Sequence, residues 1–413
     1  METYIVNKRK ILNDPVHGFI SIPNDLIFDI IEHKYFQRLR RIKQLGLTEL
    51  VYPGAIHTRF NHALGSMHLM TQALEVLKQK GHVITEEESL AANIAILLHD
   101  IGHGPFSHAL ESSIVDCMTH EDISELFMDR LNIEFDGKLT MALDIFRNKY
   151  HKKFLHQLVS GQLDVDRLDY LTRDSFFTGV SEGIIGTERI IKMLNVYNGE
   201  LVVDIKGIYS IEKFIVARRL MYWQVYLHKT VLSAEQLMIK ILKRAKQLAQ
   251  NGNDLFATPA IELFLKNNFI KEDFRNNLDL LDKFSLLDDY DIFTSTKVWK
   301  NHEDNILSTL SSFLVDRKLY KIELQNTPFD NKFINCIREK TINQFSFKEE
   351  DVDYIVFSGE VINNAYDSEK DGIKILYKNN DVKDISLASD QLNNAFLSKA
   401  VKKYLLCYPK EIS

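Results

Sequence analysis

His99-Asp100-Ile101-Gly102-His103-Gly104-Pro105-Phe106-Ser107-His108 crowds three imidazoles and a carboxylate into one short stretch. Just before it, Leu90, Ala91, Ile94, Leu97 and Leu98 recur at helical intervals, and Thr85-Glu86-Glu87-Glu88 has the spacing of a capping box. The sequence therefore predicts a helix that starts at Thr85 and delivers His99 and Asp100 at its C-terminal end. Gly102 and Gly104-Pro105 then stop it. Imidazole beside carboxylate suits a divalent ion that must keep positions open for water and substrate. A His-Asp dipeptide alone is common, but here eight of the 14 histidines fall between His57 and His120, far above an even spread.

Working outward, a second helix is predicted from about Thr58 to Lys80, stopped by Gly81. Phe60, Leu64, Met67, Met70, Leu74 and Leu77 lie on its apolar side, and Arg59, His62 and Ser66 on the other. A third begins near Asp166 and places Asp166, Tyr170 and Asp174 at i, i+4 and i+8, on one face. Asn198-Gly199 between apolar residues reads as a small hairpin, and a long helical stretch follows from about Ile211 to Ala249. Helical segments continue to about residue 345. Short strands are then predicted at Tyr354-Ile355-Val356-Phe357 and from Gly372 to Tyr377, with a final helix from about Asp390 to Leu406. The fold class is mainly α: a helical core over residues 1–245, with its motif block at 58–174, and a smaller α+β lobe over 246–413. No repeat or Pro/Ser-rich linker separates the two, so the lobe is expected to pack on the core.

The 413 residues are 45% hydrophobic and 26% charged, the balance of a folded chain. With 51 Lys+Arg against 57 Asp+Glu, the formal charge of −6 argues against a dominant grip on nucleic acid or an anionic membrane. Cys117, Cys336 and Cys407 are too scattered for a disulfide framework or a cysteine zinc site, which suits a reducing compartment. The apolar stretch Ala91 to Leu98 falls far short of the roughly 20 residues of a membrane span. Met1-Glu2-Thr3-Tyr4-Ile5 lacks the blocks of a signal peptide, so a cytoplasmic location is expected.

His62, then His99-Asp100, then Asp166 resembles the H…HD…D signature of the HD-domain metal-dependent phosphohydrolases. Longer words narrow the resemblance. Phe36-Gln37-Arg38-Leu39-Arg40-Arg41-Ile42-Lys43-Gln44-Leu45-Gly46, Tyr52-Pro53-Gly54-Ala55, Arg59-Phe60-Asn61-His62, the decapeptide above and Asp164-Val165-Asp166-Arg167-Leu168-Asp169-Tyr170 resemble the deoxynucleoside triphosphate triphosphohydrolase branch. That branch includes bacterial dNTPases and animal enzymes with an added sterile-alpha-motif domain. The match runs from about Asn13 to Lys229 and is loose in the C-terminal third.

The resemblance implies that His62, His99, Asp100 and Asp166 hold one divalent transition metal. Two imidazoles and two carboxylates without thiolate favour iron or manganese, with zinc, nickel or magnesium also compatible, and magnesium would accompany the triphosphate. It implies attack at the α-phosphorus, releasing deoxynucleoside and tripolyphosphate. The leaving 5′-oxygen then needs a general acid. His103, His108 and His120 are the candidates, His108 the first choice, with Glu111 orienting a histidine at a position where the family more often has Asp. Arg59, Arg167 and Arg218 match phosphate-contacting positions. Gln44, Leu45, Tyr170, Asp174 and Tyr226 match sugar and base contacts, the Tyr170 ring occupying the space of a 2′-hydroxyl. Leu227 stands where better-known relatives have glutamine.

Many members of the branch are oligomers activated by a guanine nucleotide, dGTP or GTP, bound between subunits. Lys10, Asn13, Glu32, Gln37 and Arg40 fall on the matching positions, Glu32 replacing an aspartate. For a second nucleotide, Arg189, Lys206, His228 and Lys229 agree, whereas Asp204 replaces an arginine and Met193 an aromatic residue. A homodimer or tetramer is expected. Two other functions compete: an HD phosphohydrolase acting on a nucleoside monophosphate, cyclic nucleotide or guanosine tetraphosphate, and a nucleotide- or nucleic-acid-binding regulator with a vestigial metal site. The intact ligand set and the acidic charge argue against the last.

Overall fold

The computed structural model describes residues 10–106, 111, 113, 115, 118–363, 366, 372–391 and 401–412. The chain is mainly α-helical, and three helices carry the predicted motifs. The Arg59–Gln79 helix opens on a capping box between Thr58 and Asn61, and Glu86–Leu98 on one between Thr85 and Glu88. Val165–Thr178 is capped by Asp164, whose side chain accepts from Arg167 N, and closes on Gly179 at φ 75°. Ala92, Ile94, Ala95, Ile96, Leu97 and Leu98 are all fully buried, so the C-terminal half of the Glu86–Leu98 helix is apolar all round and lies in the core. The Arg59–Gln79 helix packs against both of the others.

Close approach is built in at two glycines. A Cβ on Gly65, in mid-helix, would sit 2.0 Å from Asp169 Oδ1 and 2.2 Å from Arg173 Nη2, on the crossing helix. A Cβ on Gly102 would sit 2.2 Å from the His120 carbonyl oxygen and 2.3 Å from Ser124 N. Here the turn after His99 is clamped to the His120–Glu134 helix. Ser124 Oγ donates to the His99 carbonyl at 2.8 Å and accepts from Gly102 N at 2.9 Å.

The sheets are small. Ile11–Asp14 and Gly18–Ser21 form an antiparallel hairpin that the sequence reading did not anticipate. The expected hairpin at Asn198-Gly199 forms, with both residues at positive φ (52° and 80°) as a tight primed turn requires. Its strand Glu200–Asp204 pairs in parallel with Lys374–Leu376, so the C-terminal segment completes a sheet begun in the first half. The Lys229–Gln250 helix also runs through position 245.

Three expectations need correction. The stretch from Ile211 to Ala249 is not one helix: Ile208–Met221 ends in a π-helical turn at Tyr222–Tyr226, and His228 caps the next helix by accepting from Thr230 N. Separately, the short helix Lys34–Gln37 runs into a 3-10 turn over Arg38–Arg41, in which Arg38 is fully buried. The strand expected at 354–357 begins at Phe357, after a 3-10 turn over Glu349–Tyr354. The final helix is overturned where it is described. Val401–Tyr408 is the middle strand between Lys321–Gln325 and Phe357–Asn363, while 392–400 lie outside the described residues. Leu405, Leu406, Cys407 and Tyr408 are all buried, and a strand covered on both faces loses the alternation that distinguishes it from a helix. Among the described residues, no helix is long and apolar enough to cross a membrane.

Gly102→Ala tests the clamp. The methyl would meet backbone on both sides, so a loss of about 1–3 kcal/mol is expected, read as a lower denaturant midpoint with unchanged slope.

Candidate metal centre and substrate cleft

His62, His99, Asp100 and Asp166 converge from three helices. His62 Nε2 lies 3.0 Å from Asp166 Oδ1 and 3.8 Å from Asp100 Oδ2, and His99 Nε2 lies 3.5 Å from Asp166 Oδ1 and 3.4 Å from Asp100 Oδ1. Ligand atoms of His62, His99 and Asp166 all fall within 4.8 Å of one another. The far nitrogen of each imidazole is already committed. His62 Nδ1 meets Asp169 Oδ2 at 2.7 Å, and His99 Nδ1 meets the Ile96 carbonyl at 2.6 Å. Both oxygens can only accept, so each Nδ1 carries the proton and each Nε2 turns toward the centre. These two Nε2 atoms are buried and lack a hydrogen bond of good geometry. Buried, inward-facing ring nitrogens beside two carboxylates fit a divalent cation.

The electrostatics agree. Against the cost of burial, hydrogen bonds and charge from Asp166 and Asp169 push His62 up to about 10. Burial alone would raise Asp100, yet His99, His103 and Arg59 hold it well below the usual carboxylate range. The site is thus built to hold positive charge, which the proton supplies when no ion does. Arg59 Nη1 donates to Asp100 Oδ2 at 2.6 Å.

A second group stands beside the first, with ligand atoms of Asp100, His103 and His120 within 4.8 Å of one another. The His103 and His120 rings stack at 3.8 Å, and their environments diverge. Burial and the Arg59 charge push His103 down to about 3, leaving a neutral imidazole. Although burial opposes it, Glu111 (3.1 Å) and Glu121 (3.2 Å) push His120 up to about 9. His120 therefore carries a proton at neutral pH and His103 does not. His120 is the first residue of its helix, whose cap is Thr119. His108 lies outside the described residues.

Both groups open into a cleft of about 580 Å³. Gln44, Leu45, Arg59, Arg167, Tyr170, Asp174 and Tyr226 all line it, with Tyr222 and Leu227. Asp166, Tyr170 and Asp174 share one wall, as their helical spacing requires. Arg218 is not among the lining residues; it is buried and its Nη1 donates to Gln162 Oε1 at 3.2 Å. The π-helical turn brings Tyr222 and Tyr226 to the wall, and Tyr226 Oη donates to Asp174 Oδ2 at 2.7 Å.

Lys10, Asn13, Glu32, Gln37 and Arg40 lie away from this cleft. Lys10 stands over the Phe28 ring, Gln37 Oε1 accepts from Arg40 Nε at 2.8 Å, and Arg40 stacks on Phe60. Arg189 donates to the Lys206 carbonyl at 3.0 Å, and Lys206 and Lys229 are exposed. Asp204 is held by Lys80 at 2.8 Å.

Sequence reasoning missed the residues that hold this machinery in place. Fully buried Arg38 donates to the carbonyls of Ile101 (3.0 Å) and His103 (2.7 Å) and lies against the Phe127 and Phe284 rings. His57 reads as an ordinary histidine, yet its Nε2 meets Asp174 Oδ1 at 2.8 Å and its ring stacks on Phe177. Asp169 and Arg173 could have been noticed as an i, i+4 acid–base pair on the Asp166 helix.

The HD domain family matches residues 59–174, and the HD associated region matches 185–257. The uncharacterized protein YwfO of Bacillus subtilis is 33% identical over 98% of this chain and 94% of its own length. A crystal structure of a phosphohydrolase from Bacteroides thetaiotaomicron superposes with a TM-score of 0.94 at 52% identity, covering 97% of this chain and all of that one. The deoxynucleoside triphosphate triphosphohydrolase SAMHD1 homolog of Dictyostelium discoideum is 33% identical over 60% of this chain and 51% of its own length. The chain belongs to the HD-domain phosphohydrolases and is related to the SAMHD1 triphosphohydrolases.

Two outcomes follow from this geometry. Below about pH 10 a cation must displace the proton on His62, so Mn²⁺ binding to metal-free protein should release a proton and strengthen as pH rises from 6 to 8. Calorimetry in buffers of different ionisation enthalpy counts that proton, and a count of zero contradicts the site as described. Arg38→Met strands two buried carbonyls and should cost about 2–4 kcal/mol in denaturant unfolding.

Proposed function

We propose that the protein hydrolyses deoxynucleoside triphosphates to deoxynucleoside and tripolyphosphate. One observation carries this reading: Asp100 and Asp166 of the candidate metal set, two arginines and the Tyr170–Asp174–Tyr226 group line a single cleft, with His62 and His99 directly behind the two carboxylates. Asp166 and Asp174 are separated by about 12 Å of helix axis, enough to seat a sugar between a metal-held phosphate and the Asp174 carboxylate.

A divalent ion bound by His62, His99, Asp100 and Asp166, iron or manganese being favoured by the donor set, would polarise a phosphate oxygen and acidify a water. The chain's own groups do the rest. Arg59 and Arg167 offset the triphosphate charge, with Mg²⁺ accompanying the substrate. Asp174, held by Tyr226 and His57, retains lone pairs to accept from the 3′-hydroxyl. The Tyr170 ring, edge-on to Tyr226 at 6.1 Å, fills the space of a 2′-hydroxyl. Protonated His120, steadied by Glu111 and Glu121, protonates the leaving 5′-oxygen. Activation by a guanine nucleotide at the Lys10–Arg40 and Arg189–Lys229 positions, assembly into a dimer or tetramer, and a cytoplasmic setting belong to the same reading and are supported by the family resemblance. Hydrolysis of another phosphate ester is the second reading, favoured by the apolar Leu227 and Leu232 in the cleft wall.

The test is a product assay with Mn²⁺ and each dNTP, singly and with added dGTP, resolving products by ion exchange. Deoxynucleoside and tripolyphosphate in equal yield are expected, and pyrophosphate or single phosphate would overturn the proposal. Asp166→Ala should lose both bound metal and activity while remaining folded. Tyr170→Ala should raise ribonucleotide turnover relative to deoxynucleotide by about tenfold or more.

A further inference from the structure

Asp169 is fully buried, three residues past Asp166, and none of the chemistry above uses it. Its two oxygens accept from three side chains. Oδ2 takes His62 Nδ1 (2.7 Å) and Arg173 Nε (2.9 Å), and Oδ1 takes His17 Nε2 (2.6 Å) and Arg173 Nη2 (2.9 Å). Arg173 continues to Asp14, with contacts of 2.8 and 3.3 Å. Asp14 and His17 flank the turn of the N-terminal hairpin. Asp14 Oδ1 also accepts from Val16 N and His17 N, which fixes the turn that presents His17. Gly65, one helical turn from His62, leaves the space in which the Asp169–Arg173 pair lies.

An Asp–Arg pair at i, i+4 is ordinarily surface decoration. This one is wholly buried, with one carboxylate oxygen directed at the hairpin and the other at a metal-facing histidine. The His62 ring plane, and with it the direction of its Nε2 lone pair, follows the orientation of that carboxylate. We infer that the Asp14–His17 turn is a working part of the metal centre: His17 is a positioning residue that aims His62 through Asp169. The inference deepens the metal-site reading and rests on it. With the His17 donor gone, Arg173 alone among the described residues holds Asp169 Oδ1, and the carboxylate is freer to swing away from His62.

Mn²⁺ affinity of the metal-free full-length protein, measured by chelator competition, tests this without any turnover. His17→Phe should weaken binding about tenfold and Asp169→Asn about 10–100-fold. His17→Gln keeps an amide donor and should restore affinity to within about threefold of the parent. Phe19→Ser, on the exposed face of the same hairpin, should bind like the parent. Parent-like affinity in His17→Phe would overturn the inference, as would equal weakening in His17→Phe and His17→Gln, which marks packing rather than hydrogen bonding. If His17→Phe does not fold, Asp169→Asn decides, and parent-like affinity there overturns the inference. A parent that binds no stoichiometric Mn²⁺ would instead overturn the metal-site reading beneath it.

Discussion

The Arg59–Gln79 and Val165–Thr178 helices cross so closely at Gly65 that a single methyl group there would collide with the Asp169–Arg173 ion pair. A glycine in mid-helix costs about 1 kcal/mol against alanine, and what it permits is contact between His62 on one helix and Asp166 and Asp169 on the other. The third helix, Glu86–Leu98, is apolar on all sides over its last turn, Ile94 to Leu98, and its buried polar groups Glu88 and Asn93 are bonded elsewhere. It contributes at its end, where His99 and Asp100 emerge into the space the crossing has made. A cation at that point would be held by three helices at once, so binding it would also stabilise their packing.

Burying this many ionisable groups is expensive unless each is compensated. The compensation is local and directional: Arg59 on Asp100, Arg173 on Asp169, and backbone or carboxylate acceptors behind both metal-facing imidazoles. Arg38 is the departure from this pattern. It is buried without a direct carboxylate partner among the described contacts, and two main-chain carbonyls with two aromatic rings satisfy it instead. One of those rings, Phe284, belongs to the C-terminal half, so the turn bearing Asp100 and His103 is braced from both halves of the chain. The mixed sheet joining Glu200–Asp204 to Lys374–Leu376 ties the halves together again.

The stacked His103 and His120 rings show how neighbours divide a role. Two imidazoles 3.8 Å apart cannot both hold a charge cheaply. The one beside Arg59 gives up its proton, and the one beside two glutamates keeps it. An acid thus stands over the cleft next to a neutral partner. The helix break at Tyr222–Tyr226 serves the same cleft: both tyrosines line its wall, and Tyr226 donates to Asp174.

Caps, glycine stops and apolar spacing act within a few turns of chain. For that reason the Thr58 and Thr85 helix starts, a third helix beginning near Asp166, the Asn198-Gly199 hairpin and the shared face of Asp166, Tyr170 and Asp174 were all legible in the residues themselves. The His62, His99, Asp100 and Asp166 set was legible too, since metal chemistry restricts residue type and the flanking words are long. The partners were not. His57 meets Asp174 across 117 positions, His62 meets Asp169 across 107, and His17 meets Asp169 across 152. Nothing local distinguishes His17 or His57 from a surface histidine, or Arg38 from its solvated neighbours. The Val401–Tyr408 strand was misread for the same reason, because its identity lies in the two strands that flank it. Local propensity and spacing determined which helices form and which residues are candidates for the chemistry. Only tertiary packing, which sets distances between residues far apart in the chain, decided how those residues are aimed.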